Sequence, residues 1–444
     1  MINHSRAIRA RGAAFGGLAL AAILAGACSE AMPTALDPSR LPAEPVTLEI
    51  EVPWSSFGAN LEVFGGYGGP SQLEEAIVAR SFEGVLDAHA LVRFGTYPIS
   101  ASVVDSTGTT RTDTNLTFTG GNVVVYFDTE ASTATGPVTL TLSRTQEEWH
   151  EPSASWAFAL DTVGTQRAWT TPGGGAVLPL ASREWDPATG DSVMFVVDSS
   201  TVAAWRDQDD PTRGARIELG TDGERLHLVQ IGLRLATRSS INPDTILNLS
   251  AATREVTFLY TPAANAPLDG IRVGGAPAWR TVLDLNVPTQ LDGPPELCSA
   301  VGCPFALGPE HVSRAGLVLT TRAAEPAFRP TDSLALDVRA VLSREALPKS
   351  PLGSSLIGDD DDARVVAEAF GAQAGMRFEI PVTAFVKAAL SGPDDAGRPP
   401  PNTVAILPSA EAGSFAFGSF HGADVPEAPV LRLIITASRP MEMR

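Results

Sequence analysis

At 444 residues the chain is too long for one hydrophobic core, and two domains of roughly 180–200 residues each are expected. Apolar residues at 44% and charged residues at 19% exclude a disordered chain, and 40 glycines with 35 prolines suit many short strands and turns better than helices. A net charge of −19 argues against nucleic acid as a partner and disfavours polyanionic ligands unless a local basic patch or a bridging cation intervenes.

At the N-terminus, Arg6, Arg9 and Arg11 precede an apolar stretch over 13–24 that closes on Leu24-Ala25-Gly26-Ala27-Cys28. This is the layout of an export signal. Its end resembles the lipobox of bacterial lipoproteins, in which the cysteine is acylated and becomes the first residue of the mature chain. The alternative is an ordinary secretory signal with an incidental cysteine. No other apolar run approaches the ~18 residues of a membrane-spanning helix, so the resemblance assigns membrane attachment to lipid on Cys28. Residues 1–27 are expected as signal peptide and 28–45, small, polar and proline-bearing, as a tether. Ser29 is not the aspartate that retains such proteins at the inner membrane, which makes the outer membrane the expected address. Loss of the three signal arginines brings the net charge to −22.

From Val46 onward the dominant period is two. Val46-Thr47-Leu48-Glu49-Ile50-Glu51-Val52 alternates apolar and polar, as do 138–142, 216–219, 226–229, 334–338 and 430–435. Turn clusters such as Thr107-Gly108, Gly120-Gly121 and Gly173-Gly174-Gly175 separate the runs, which is the pattern of an antiparallel β-sandwich. Two stretches break the period. In 200–205, Val202 and Trp205 stand at i, i+3, and in 381–390, Val382, Phe385, Val386 and Ala389 share a face before Gly392. Both are expected as short helices. They align an internal repeat: strands at 91–94, 138–142 and 215–219 accompany the first helix, and strands at 281–285, 334–338 and 404–407 accompany the second. The expected organisation is all-β, with tandem antiparallel sandwiches over 46–237 and 238–437.

Five of the seven tryptophans, Trp149, Trp156, Trp169, Trp185 and Trp205, crowd into the first repeat. Trp149 lies in Glu147-Glu148-Trp149-His150-Glu151, Trp156 follows Ser155, and Trp169 precedes Thr170-Thr171-Pro172-Gly173-Gly174. Here the chain resembles the DNRLRE-type domain family, jelly-roll-like sandwiches of exported and surface proteins. The resemblance covers roughly 70–236 and, more weakly, 270–437, where the tryptophan cluster is missing. It implies a carbohydrate-binding or wall-associated module. In physical terms an indole face stacks on the C–H side of a sugar ring while flanking carboxylates hydrogen-bond its hydroxyls. Trp149, Trp169 and Trp185, with Glu148 and Glu151, are the candidate ligand-binding residues. The same rings are equally suited to filling a sandwich core, which is the expectation for Trp156 and Trp205.

Cys298 and Cys303, five residues apart around Gly302, suit a local disulfide in an oxidising compartment, with free thiols as the alternative. Asp359-Asp360-Asp361-Asp362 lacks the alternating ligand spacing of a calcium loop and reads as a solvated turn. No metal site is expected and no cofactor, a structural calcium being the one possibility left open. Nucleophile-elbow, zinc-helix and phosphate-loop motifs are absent. The favoured function is a surface-anchored, non-catalytic lipoprotein that binds polysaccharide through the first sandwich, with the second as a spacer or weaker copy. The alternatives are a structural or assembly lipoprotein contacting other envelope proteins, and a glycan-degrading enzyme with Glu148 and a distant acid as its carboxylate pair.

Overall fold

The period-two segments form strands that each turn one side chain in two toward a core. In the computed structural model, which describes residues 45–65, 75–261, 270–275, 279–347, 349–357, 363–409 and 416–438, the protein is all-β, with 51% strand and 11% helix in large antiparallel sheets. Cys28, the tether and the aspartate run 359–362 lie outside the described residues. Among the described residues no helix is long and apolar enough to cross a membrane.

The N-terminal sandwich is one ten-stranded sheet folded back on itself until it is nearly closed. Val177–Trp185, Val138–Thr145, Ala215–Leu219, Leu86–Phe94, Ala76–Phe82, Glu224–Ser239, Leu116–Asp128 and Ser192–Asp198 are neighbours in that order. Ile246–Ala251 adds to Glu224–Ser239, and Thr253–Tyr260 adds to Leu86–Phe94. The alternation is clean in Ser192–Asp198, where Val193, Phe195 and Val197 are buried while Met194 and Val196 face solvent. The core holds Val123, Val125, Leu140, Leu142, Phe195 and Trp205, all essentially inaccessible.

Among the described residues the C-terminal sandwich is built on two larger sheets, with the two-stranded sheet of Gly270–Gly274 and Phe417–His421 packed into the same core. One larger sheet orders Val46–Pro53, Val430–Ala437, Val312–Thr320 and Arg377–Pro381; the other orders Gly58–Phe64, Arg280–Leu285, Thr403–Pro408, Leu334–Val341 and Leu352–Ser355. The repeat read from the sequence has a topological counterpart. In the first sandwich Ala215–Leu219 lies between Val138–Thr145 and Leu86–Phe94, and in the second Thr403–Pro408 lies between Leu334–Val341 and Arg280–Leu285. The helices are also where expected. Ser199–Arg206 is capped by Asp198, which accepts from the Thr201 amide, and Thr383–Ser391 stops at Gly392 with φ +76°.

The strand partners differ from the expected division at 237/238. Val46–Pro53, expected to open the first sandwich, pairs with the last strand of the chain from Val46↔Ala437 to Pro53↔Val430. Gly58–Phe64 likewise joins Arg280–Leu285. Conversely, residues 246–260 complete the first sandwich, and position 237/238 falls inside Glu224–Ser239. The C-terminal sandwich is thus finished by a ribbon from the other end of the chain. Val52 and Phe57 of that ribbon are buried in its core. Cys298 and Cys303 form the expected disulfide at the end of the helix Pro295–Val301, with Cα atoms 4.9 Å apart.

Candidate functional site

The three tryptophans expected as a stacking platform are buried: Trp149 is 2% exposed, Trp169 5% and Trp185 3%. Each is held by contacts that the local sequence does not announce. The Arg93 guanidinium sits 4.0 Å from the Trp149 ring centroid and donates to the carbonyl oxygens of Trp149, Pro211 and Arg213, while pairing with Glu255 at 2.6 Å. The indole N–H of Trp169 donates to the Ser155 carbonyl, and that of Trp185 to the Gly190 carbonyl, with Phe127 4.2 Å away, centroid to centroid. None of the three offers a ring face to solvent. Glu148 pairs on the surface with Arg167, and Glu151 is half-buried; neither lines the cleft described below.

Trp156, expected in the core, is the ring that remains partly exposed, and its setting explains why. Gly173, Gly174 and Gly175 all take positive φ, a path open to glycine, and fold the chain back beside the indole. A Cβ on Gly173 would come within 3.0 Å of Trp156. The turn is tied down from three sides. Arg216 donates to the carbonyls of Gly173 and Gly175, His89 Nδ1–H donates to the Gly173 carbonyl at 2.7 Å, and Glu147 accepts from Thr170 and from the Ala176 amide. Burial alone would raise the Glu147 pKa, but these hydrogen bonds outweigh it and hold the carboxyl below its usual range. The His89 ring packs 4.9 Å from Trp156, and burial pushes its pKa down.

Trp156 lines a cleft of about 570 Å³ where the two sandwiches meet. The N-terminal sandwich supplies the loop 152–157, the hairpin Phe158–Thr162 with Thr165–Ala168, and Tyr260. The C-terminal sandwich supplies Arg280, Lys349 and Ser350, and its ribbon supplies Gly65. Asp161 accepts from the Gln166 side chain at 2.8 Å and forms an ion pair with Lys349. The Asp161 side chain is 11% exposed and that of Lys349 31%, and burial lowers the Lys349 pKa. The cleft therefore combines one indole, one carboxylate, one primary amide, one ammonium and the Arg280 guanidinium, within the size range of small-ligand sites, roughly 300–1,000 Å³. Among the described residues no group of three or more His, Cys, Asp or Glu is placed to hold a metal.

The sequence reading missed Asp161, Gln166 and Lys349 as site residues. One signal was available for Lys349: it is one of two lysines in a chain with 32 basic residues.

No family model matches the chain, and no curated protein does. Among solved structures the chain has weak likenesses to a protein titled BspA_C_mut (8% identity over 82% of this chain and 90% of that one, TM-score 0.13). It is also similar to the Macrobrachium rosenbergii nodavirus structure (8% identity, 99% and 98%, TM-score 0.12). A third is the C-terminal domain of the antigen I/II-family protein AspA of Streptococcus pyogenes (9% identity, 72% and 77%, TM-score 0.12). At these scores none bears on function.

Proposed function

We propose that the protein is a lipid-anchored, non-catalytic envelope protein that binds polysaccharide, and that the cleft beside Trp156 is its binding site in place of Trp149, Trp169 and Trp185. The observation that carries this reading is the convergence of a partly exposed indole with Asp161, Gln166 and Lys349 in one cleft. An indole supplies the apolar face that a sugar ring stacks on, and the polar trio supplies donors and acceptors for its hydroxyls. The lipobox resemblance supports attachment through Cys28 and an outer-membrane address. Glycoside hydrolysis calls for two carboxylates flanking the scissile bond, roughly 5–10 Å apart. The described lining of the cleft contains one, Asp161, which favours binding over cleavage.

Burial of all three candidate rings favours a second reading, a structural lipoprotein whose sandwiches contact other envelope proteins. A glycan array on the mature protein separates the two. Binding that is lost in Trp156→Ala and kept in Glu148→Ala supports the cleft, and a blank array supports the structural reading.

A further inference from the structure

The cleft has walls of two origins. Trp156, Asp161 and Gln166 come from the N-terminal sandwich, and Gly65, Arg280, Lys349 and Ser350 come from the C-terminal sandwich with its ribbon. The Asp161–Lys349 ion pair joins the two sandwiches across it. We propose that the C-terminal sandwich is a working half of the site rather than a spacer, that Lys349 determines its specificity, and that the ligand is an uncharged glycan segment. This rests on the glycan-binding reading above and adds to it a second wall and a ligand class.

The chemistry of the pair decides the class. Lys349 neutralises Asp161, so this corner of the cleft offers strong donors and acceptors with little net charge between them. A sugar hydroxyl both donates and accepts. Neighbouring hydroxyls can therefore give one proton to the carboxylate and take one from the ammonium, making two charge-assisted hydrogen bonds without parting the ions. An anionic sugar meets Asp161 directly and must compete with it for Lys349, while Arg280, the other cation of the lining, already has a partner of its own, and the chain as a whole carries −19. A purely apolar ligand strips water from Asp161, Gln166 and Lys349 and returns no hydrogen bonds to them. A neutral polyol with one apolar face satisfies both the indole and the ion pair. Lysine suits this role because its ammonium is a compact point donor with three protons, whereas an arginine fork would hold Asp161 bidentately and leave fewer protons for a ligand.

The test is calorimetric titration of the mature protein, made soluble by Cys28→Ala. The probes are neutral hexasaccharides of cellulose, xylan, mannan and laminarin, and acidic hexamers of guluronate and galacturonate. At least one neutral hexamer is expected to bind, with the acidic ones at least about tenfold weaker. Lys349→Met should weaken neutral binding about tenfold, the value of one charge-assisted hydrogen bond. Asp161→Asn leaves Lys349 uncompensated and should raise the acidic-to-neutral affinity ratio by about the same factor, a switch of preference that a merely structural role would not produce. Full affinity in Lys349→Met, with binding lost in Trp156→Ala, overturns the two-walled site and leaves the glycan-binding reading standing. Acidic hexamers binding as tightly as neutral ones, or an unchanged ratio in Asp161→Asn, overturns the ligand class. No binding of any hexamer overturns the glycan-binding reading itself.

Discussion

The pairing of the N-terminal ribbon with the far end of the chain makes a prediction that separates the two sandwiches. Phe57 is 1% exposed, lies in the core of the C-terminal sandwich, and stacks edge-on with Trp54 at 5.3 Å. It joins Val46–Pro53, which pairs with Val430–Ala437, to Gly58–Phe64, which pairs with Arg280–Leu285. Truncating a buried phenylalanine to alanine costs about 3–5 kcal/mol in transfer and cavity terms. For a domain of this size, with a guanidinium dependence of roughly 4 kcal/mol/M, that moves the unfolding midpoint down by about 1 M. The whole shift should fall on the C-terminal sandwich. Hydrogen-exchange mass spectrometry of Phe57→Ala reads this directly. Amides in Val312–Thr320 and Val430–Ala437 should lose protection, while those in Leu116–Asp128, paired within the N-terminal sandwich, should keep theirs. Equal loss in both sets, or loss confined to Leu116–Asp128, would refute the assignment of the ribbon.

Three further outcomes follow from single contacts. Arg93→Met removes the guanidinium that covers Trp149 and leaves Glu255 without its 2.6 Å partner; losing a part-buried, charge-assisted pair of this kind costs about 2 kcal/mol, visible as a lower melting temperature of the N-terminal sandwich and a red-shifted tryptophan emission. His89 is pushed below the ordinary histidine value of 6.5 chiefly by burial, although the Gly173 carbonyl and the Glu218 and Asp87 carboxylates pull it up and Arg216 pulls it down. The unfolded chain therefore takes up the proton first, so this contribution to stability is complete above about pH 6.5 and declines as pH falls through and below that value. Thermal melts at descending pH should show that decline, and His89→Gln should flatten it; an unchanged slope in the variant would reject the assignment. In cells, a fatty-acid analogue should label the wild type and not Cys28→Ala, and equal labelling of the two would remove the lipid anchor.

Period-two alternation made the strands legible because it reports that one face of a strand is buried, and the two interruptions at 200–205 and 382–390 stood out against it. Alternation does not report which sheet receives that face. Val46–Val52 is as compatible with an edge of the first sandwich as with Val430–Ala437, and only the pairing decides. The tryptophans failed for a related reason. The composition around Trp149 and Trp169 fits a platform and a core equally well, and what buries them is distant in sequence. Arg93 reaches Trp149 from 56 residues away, and Glu147 ties off the turn that follows Trp169 from 23 residues away. Trp156 lies beside that same turn, close to Gly173, and stays partly accessible.

The cleft itself depends on Asp161 and Lys349 meeting across 188 residues, a proximity that no local pattern encodes. What the sequence does carry is a choice of residue type. Arginine supplies the basic partner of most ion pairs among the described residues, as at Arg93–Glu255, Arg216–Glu218 and Arg432–Glu49. The guanidinium fork holds a carboxylate in one geometry and saturates it. Lys349 stands where two sandwiches meet around an open cleft, and there a point donor keeps the carboxylate neutralised while leaving both groups able to turn toward a third partner. Lys349, one of two lysines in the chain, is thus a stronger pointer to this cleft than the tryptophans that the core takes up.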